Sequence, residues 1–87
     1  AVICYNDEIA YRLIQALLEA GRRVPEDVAV VSFDNSYLSQ LGPVPITSLS
    51  HRSRMGRVAA EQMIGLLLGE AARSKSLEWE LVARSSG

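Results

Sequence analysis

The first half of the chain alternates short apolar runs with one long helical pattern. Residues 1–5 form an apolar run that ends at Asn6, and residues 28–33 form a β-branched run that ends at Asp34. Between them, apolar positions from Asp7 to Ala20 recur with helical spacing. The second run has almost no polar break, which is typical of a strand covered on both faces. The order strand, helix, strand therefore predicts a βαβ unit of a parallel sheet.

Three further elements are predicted in the second half. We expect a short strand over residues 46–50, a helix from about Ser53 to Leu68, and a strand over residues 77–84 in which apolar and polar positions alternate. The apolar face of this helix is expected to comprise Met55, Ala59, Met63 and Leu66. The pattern as a whole predicts the α/β class.

The first helix carries more apolar surface than one sheet requires. One face is formed by Ile9, Ala10, Leu13 and Leu17. A second stripe is formed by Tyr11, Ile14 and Leu18. We expect the first face to pack on the sheet and the second stripe to pack on another surface.

Polar pairs follow the first two predicted strands, namely Asn6-Asp7 and Asp34-Asn35. Open parallel sheets bind ligands at the carboxyl ends of their strands. An amide both donates and accepts hydrogen bonds and a carboxylate accepts them, which suits the vicinal hydroxyls of a sugar. We therefore take Asn6, Asp7 and Asp34 as candidate ligand-binding residues. Spacing alone leaves a structural alternative open, in which the first pair caps the helix and the second pair shapes a turn.

Composition and charge narrow the possible chemistry. The chain has 87 residues, with nine basic and ten acidic side chains and a net charge of −1, so it lacks the basic excess of nucleic-acid binders. Its single cysteine, Cys4, lies in an apolar run and is expected to be a small buried hydrophobe. The longest apolar runs are too short to span a bilayer.

Signals for catalysis, metals or cofactors are weak. Neither strand is followed by a glycine-rich phosphate loop, and the cysteine and histidine spacing of a metal site is lacking. The only histidine, His51, has no convincing nucleophile to pair with. We therefore expect a binding protein without a cofactor or metal rather than an enzyme.

Four motifs in a fixed order resemble a known family. They are Cys-Tyr-Asn-Asp-Glu-Ile-Ala at 4–10, Gly-x-x-Val-Pro-Glu-Asp-Val at 21–28, Val-Val-Ser-Phe-Asp-Asn at 30–35 and Pro-Ile-Thr-Ser-Leu-Ser-His at 45–51. This order resembles the effector-binding domain of LacI/GalR-family repressors, which has the type I periplasmic-binding-protein fold. The opening stretch looks especially like arabinose repressors. The family usually has glycine where Ser32 stands and often proline where Arg52 stands.

The resemblance implies roles for individual residues. Asn6 and Asp34 would hydrogen-bond a sugar or another small effector between two lobes. The stripe of Tyr11, Ile14 and Leu18 would lie in a homodimer interface. His51 would lie at the hinge, with residues 1–50 and 77–87 in the carboxy-terminal lobe and residues 51–76 in the other lobe.

The resemblance also implies a setting. The chain is expected to be the carboxy-terminal portion of an incomplete three-layer sensor domain in a cytoplasmic repressor that contacts DNA through an amino-terminal module outside this sequence. Because its helices would expose apolar stripes, the piece itself is expected to self-associate. One alternative is a fragment of an exported sugar-binding protein of a transporter, which would be monomeric. Another is an enzyme or receiver domain of flavodoxin-like architecture.

Overall fold

The structure is a computed structural model, and it describes residues 1–51 and 54–87. The elements are β1 (Val2–Ile3), α1 (Asp7–Glu19), β2 (Val30–Phe33), β3 (Thr47–Ser50), α2 (Met55–Leu67) and β4 (Glu80–Val82). A 3-10 turn over Tyr37–Gln40 lies between β2 and β3. Each element that the pattern predicts is present, and α1 matches its predicted bounds to one residue. The predicted start of the second helix at Ser53, like Arg52, lies outside the described residues.

The four strands form one sheet in the order β1-β2-β3-β4. β2 is parallel to both β1 and β3, which confirms the predicted βαβ unit. In the register, Val2 pairs with Val30, and Ser32 pairs with Ser48. The strands are shorter than predicted, with two residues in β1, four in β2 and β3 and three in β4.

The chain divides into two compact units. The first comprises Ala1–Ser50 with Leu81–Gly87, and the second comprises His51–Glu80. The second unit ends four residues later than the segment predicted for the other lobe, because only residues 80–82 of the predicted final strand are extended and paired. The assignment of these segments to two lobes of a sensor stays a prediction.

The first unit has a small core between α1 and the sheet. Its buried apolar residues are Cys4, Ala10, Ile14, Val24, Val30 and Ile46. Ala10 and Ile14 are one helical turn apart and so share the face of α1 that packs inward. Ile14 is only 3% exposed because its side chain is buried within this chain, and its assignment to a dimer interface stays a prediction. Ile9, assigned to the sheet-facing side, is exposed instead.

The carboxy-terminal tail, residues 84–87, is anchored at the start of β2 and β3. Ser86 is fully buried, and its hydroxyl donates to the carbonyl of Val30 at 2.6 Å while accepting the backbone N–H of Thr47 at 2.8 Å. The backbone N–H of Val30 in turn donates to the carbonyl of Ser86 at 2.7 Å. Gly87 packs so tightly that a Cβ would lie 2.9 Å from the side chain of Val31. The tail is therefore a structural part of the sheet.

The second unit has little core of its own. Gly65 is the buried residue of α2. The predicted apolar face is exposed, with Met55, Met63 and Leu66 between 47% and 58% accessible.

Candidate functional site

Asn6 lies three residues after the end of β1 and caps α1. Its backbone is extended and its Oδ1 accepts the N–H of Ile9 at 2.9 Å, which satisfies one of the free amides of the first helical turn. This cap uses only the side-chain oxygen of Asn6. The amide NH2 group is the part of Asn6 that could donate to a ligand. The structural alternative is therefore correct for Asn6 and does not exclude ligand binding.

Asp34 directly follows the end of β2. Val2 pairs with Val30 and Ile3 with Val31, an offset of 28 residues (30 − 2), and Asn6 and Asp34 stand at the same offset beyond the last of these pairs. The ladder still continues near this point, because the N–H of Cys4 donates to the carbonyl of Val31 and the N–H of Asp34 donates to that of Leu49, both at 2.8 Å. Asp34 is exposed. An amide and an exposed carboxylate thus follow two neighbouring parallel strands at their carboxyl ends.

The third candidate, Asp7, is placed differently. Its side chain is 1% exposed, and its carboxylate accepts the hydroxyls of Ser32 and Ser48, the latter at 2.8 Å, and the N–H of Ser36 at 2.6 Å. These bonds and its burial favour an internal role for Asp7, and the prediction that it contacts the ligand stays a prediction. Asp7 ties the start of α1 to β2, to β3 and to the loop after β2.

This carboxylate is charged although it is buried. Burial alone would raise the pKa of Asp7, but the hydrogen bonds from Ser32, Ser48 and Ser36 outweigh it and hold the pKa below its ordinary value of 3.8. Ser32 stands where the resembling family usually has glycine, so its hydroxyl adds a bond that glycine could not make. The departure strengthens the network around Asp7.

Residues 34 and 35 form a turn with an unusual backbone, called here the 34–35 turn. Asp34 has φ 100° and Asn35 has φ 49°, both in a region that side chains other than Asn and Asp seldom enter. The N–H of Asn35 donates to the hydroxyl of Ser48 at 2.9 Å. Ser48 therefore links this turn to Asp7, because its hydroxyl also donates to that carboxylate.

Arg84 is the residue of this site that the sequence analysis missed. Its Nη2 donates to Oδ1 of Asn35 at 2.7 Å, and its Nη1 donates to the hydroxyl of Ser39 and to the carbonyl of Ile46, both at 2.9 Å. Arg84 lies 49 residues from Asn35 along the chain. No local pattern marks such a contact, because the alternation around residues 77–84 predicts only a strand.

Other candidates fall outside this cluster. His51 opens the second unit, where its ring stacks on Trp79 with centroids 3.8 Å apart and a tilt of 36°. Both rings line a cavity of about 420 Å³ whose other walls come from the same unit, including Arg54 and Glu78. The hinge role of His51 stays a prediction. Cys4 is buried, as expected, and burial raises the pKa of its thiol.

The proposed interface stripe is partly covered by the chain itself. Tyr11 is half-buried and packs on Gly42, where a Cβ would come within 3.1 Å of the tyrosine ring. Leu18 remains 36% exposed. Of the three residues, only these two keep surface that a partner could cover.

Two negative findings concern the described residues alone. In residues 1–51 and 54–87, no group of three or more His, Cys, Asp and Glu side chains could hold a metal ion. Over the same residues, no helix has the length and apolarity needed to cross a membrane.

The parallel strands joined by a helix crossover define an α/β domain with polar side chains after its strand ends. The family described as the periplasmic binding protein-like domain matches residues 1–87, and the chain belongs to it. This match confirms the fold that the four motifs indicated.

Known relatives are transcription regulators. The chain is 39% identical to an arabinose metabolism transcriptional repressor of Halalkalibacterium halodurans over 67 residues, which cover 76% of this chain and 18% of the repressor. It is 36% identical to the HTH-type transcriptional regulator CelR of Thermobifida fusca, covering 100% of this chain and 26% of CelR. The chain thus spans about a quarter or less of the length of these relatives.

The solved structures that resemble this chain are also of transcription regulators. A transcriptional regulator CelR–cellobiose complex matches 99% of this chain and 27% of its own, with a TM-score of 0.88 and 35% identity. The Lac repressor dimer bound to operator and the anti-inducer ONPF matches 97% of this chain and 30% of its own, with a TM-score of 0.86 and 28% identity. Relatives and structural neighbours are therefore LacI-family regulators, as the motifs indicated.

Proposed function

We propose that this chain is part of the effector-binding domain of a LacI-family transcriptional repressor, and that it contributes Asn6 and Asp34 to a small-molecule site. The observation that supports the proposal is the parallel pairing of β1 and β2, because Asn6 and Asp34 follow the carboxyl ends of these two neighbouring strands. The relatives support the class of protein, because they are repressors and regulators rather than transporter components or enzymes.

A sugar is the proposed effector. An exposed carboxylate at Asp34 accepts two hydroxyl hydrogens, and the NH2 group of Asn6 donates to a hydroxyl oxygen, so together they match a pair of neighbouring hydroxyls. Among the structural neighbours, one is a complex with cellobiose and another with lactose, and a relative is an arabinose metabolism repressor. The proposed mechanism is differential affinity of the effector for two domain arrangements, which changes operator affinity.

The first experiment measures effector binding. Calorimetry on the full-length protein with L-arabinose, cellobiose and lactose should give a saturable heat for at least one sugar. Asp34→Asn keeps the size of the side chain and tolerates the positive φ but removes the charge, and it should weaken binding about tenfold or more, because a charged hydrogen bond is lost. Unchanged affinity in this variant would contradict the proposed site.

Asn6 needs a variant that spares its cap. Asn6→Asp retains an oxygen that can accept the N–H of Ile9 and removes the NH2 donor, so α1 should keep its stability while sugar affinity falls. Asn6→Ala is the matched comparison, since it removes both functions. If Asn6→Asp bound the sugar as well as the wild type, Asn6 would be a cap only.

The regulatory part of the proposal includes a cytoplasmic homodimer that binds DNA through a segment outside this chain. A gel-shift assay of the full-length protein on its own upstream DNA should show a complex whose affinity changes with the bound sugar. An exported, monomeric protein that binds sugar but not DNA would support the transporter alternative instead. Turnover of the sugar would contradict the non-enzymatic function proposed.

A further inference from the structure

The backbone at the 34–35 turn is held by its neighbours rather than by its own preference. Two consecutive residues with side chains have positive φ there, 100° at Asp34 and 49° at Asn35. Such conformations persist in proteins when surrounding contacts fix them. The contacts that fix this turn therefore determine where the carboxylate of Asp34 points.

Asn35 is fixed from two directions. Its backbone N–H donates to Ser48 on β3 at 2.9 Å, and its side-chain oxygen accepts Nη2 of Arg84 at 2.7 Å. The hydroxyl of Ser39 donates to the same oxygen at 3.3 Å. The bond from Arg84 is short and charge-assisted, which makes it the stronger of the two side-chain contacts.

Arg84 is itself held firmly. Its backbone N–H donates to Oγ1 of Thr47 at 2.8 Å, and the tail that follows is anchored by the buried Ser86. Its second guanidinium nitrogen bonds Ser39 and the carbonyl of Ile46, which fixes the plane of the group. A fork with both arms engaged can hold Asn35 in one orientation, which a single flexible donor could not do.

We propose that Arg84 is a positioning residue for effector recognition, acting through Asn35 to orient the carboxylate of Asp34. This inference rests on the proposed function, since it requires that Asp34 contacts the effector. It connects the tail at the starts of β2 and β3 to the ligand site at the ends of β1 and β2. A tail that served only as an anchor would affect unfolding but leave effector affinity unchanged in the folded protein.

The test uses the full-length protein and the sugar among L-arabinose, cellobiose and lactose that the wild type binds. Arg84→Ala should weaken sugar affinity about tenfold, equivalent to about 1.4 kcal/mol. Asn35→Ala should have a similar effect while leaving the bonds of Arg84 to Ser39 and Ile46 in place, so it covers the case in which Arg84→Ala does not fold. Arg22→Ala, which removes an equal charge from an exposed position, should bind like the wild type.

Two further variants separate positioning from stability. Asn35→Asp keeps an acceptor for Arg84 and tolerates positive φ, so it should restore the affinity that Asn35→Ala loses. In an Asp34→Asn background, Arg84→Ala should reduce sugar affinity little further, because the carboxylate that Arg84 orients is already replaced. If Arg84→Ala instead reduced affinity by the same factor in both backgrounds, Arg84 would act independently of Asp34, which would overturn the inference.

Hydrogen exchange gives a readout that needs no ligand. The amides of Asp34 and Asn35 should exchange several-fold faster in Arg84→Ala than in the wild type, while the amide of Cys4 in β1 should not. If the wild type bound none of the three sugars, the proposed function would fail. Hydrogen exchange would still test whether Arg84 fixes the 34–35 turn. If the sugar bound and Asp34→Asn weakened it, but Arg84→Ala changed neither affinity nor exchange, only the present inference would fail.

Discussion

Asp7 is the residue whose replacement should most affect the stability of the first unit. Its buried carboxylate accepts bonds from Ser32, Ser48 and Ser36, and hydrogen bonds to charged groups contribute about 1.5–3 kcal/mol each. In Asp7→Ala the two hydroxyls, 3.4 Å apart, can bond each other, but the N–H of Ser36 loses its partner. We therefore expect a loss of about 3–5 kcal/mol in the free energy of unfolding.

The isosteric variant Asp7→Asn should lower the free energy of unfolding by less than Asp7→Ala does. In Asp7→Asn the amide oxygen can still accept the N–H of Ser36, and the serine hydroxyls can rotate to accept from the NH2 group. Only the charge-assisted part is lost, so we expect about 1–2 kcal/mol. Glu8→Gln is the matched control, because Glu8 is the next residue of α1 and pairs with Arg12 on the surface, where an ion pair contributes at most about 1 kcal/mol.

The assay is thermal unfolding of the full-length protein followed by circular dichroism, from about pH 7 to about pH 3. Because the folded pKa of Asp7 is lowered, its contribution is present above the unfolded pKa of about 4 and is lost as pH falls through the folded pKa. The Tm difference between the wild type and Asp7→Asn should therefore shrink toward acid. A difference that stayed constant across this range, or an Asp7→Ala variant that melted with the wild type, would refute the reasoning.

Three other predictions concern single residues. The pKa of Asp27 is lowered to about 2 by hydrogen bonds from Arg23. The contribution of Asp27 to stability should therefore be present above about pH 4 and be lost as pH falls toward 2. Titration of the carboxyl group by NMR checks this, and Arg23→Ala should return the pKa toward 3.8. Cys4 is buried with a raised pKa, so a thiol reagent should label it in urea and not in the native protein, and fast native labelling would contradict its burial. Leu18 keeps exposed apolar surface on α1, so sedimentation of the full-length protein should show that Leu18→Glu weakens a dimer. An unchanged dimer would exclude this surface from the interface. The separate expectation that the 87-residue chain self-associates fails if that chain sediments as a monomer.

The local features of the fold were predictable from the sequence. α1 follows from the capping Asn6, the helical spacing of apolar positions and Gly21, which has φ 77°. β2 follows from its uninterrupted β-branched run. The placement of Asn6 and Asp34 at one sheet edge then needs only the parallel direction of the two strands, which a helix crossover implies.

What could not be predicted is which polar residues are buried. Ser32, Ser39, Ser48 and Ser86 are all fully buried, although serine is mostly an exposed residue. Their burial depends on partners 16 to 56 residues away, such as the bond from Ser86 to Val30. Local periodicity holds no information about such separations, and for this reason Asp7 was assigned to the ligand rather than to the interior.

Arg84 and Asp7 contribute to the same structural feature although no local pattern in the sequence connects them. Both act on the 34–35 turn, Arg84 through the side chain of Asn35 and Asp7 through Ser48 and its bond to the Asn35 N–H. A strained turn held from two sides loses less conformational freedom on binding a ligand than a free loop would. Specificity for an effector then depends on residues that need not touch it, because they fix the direction in which Asp34 presents its charge.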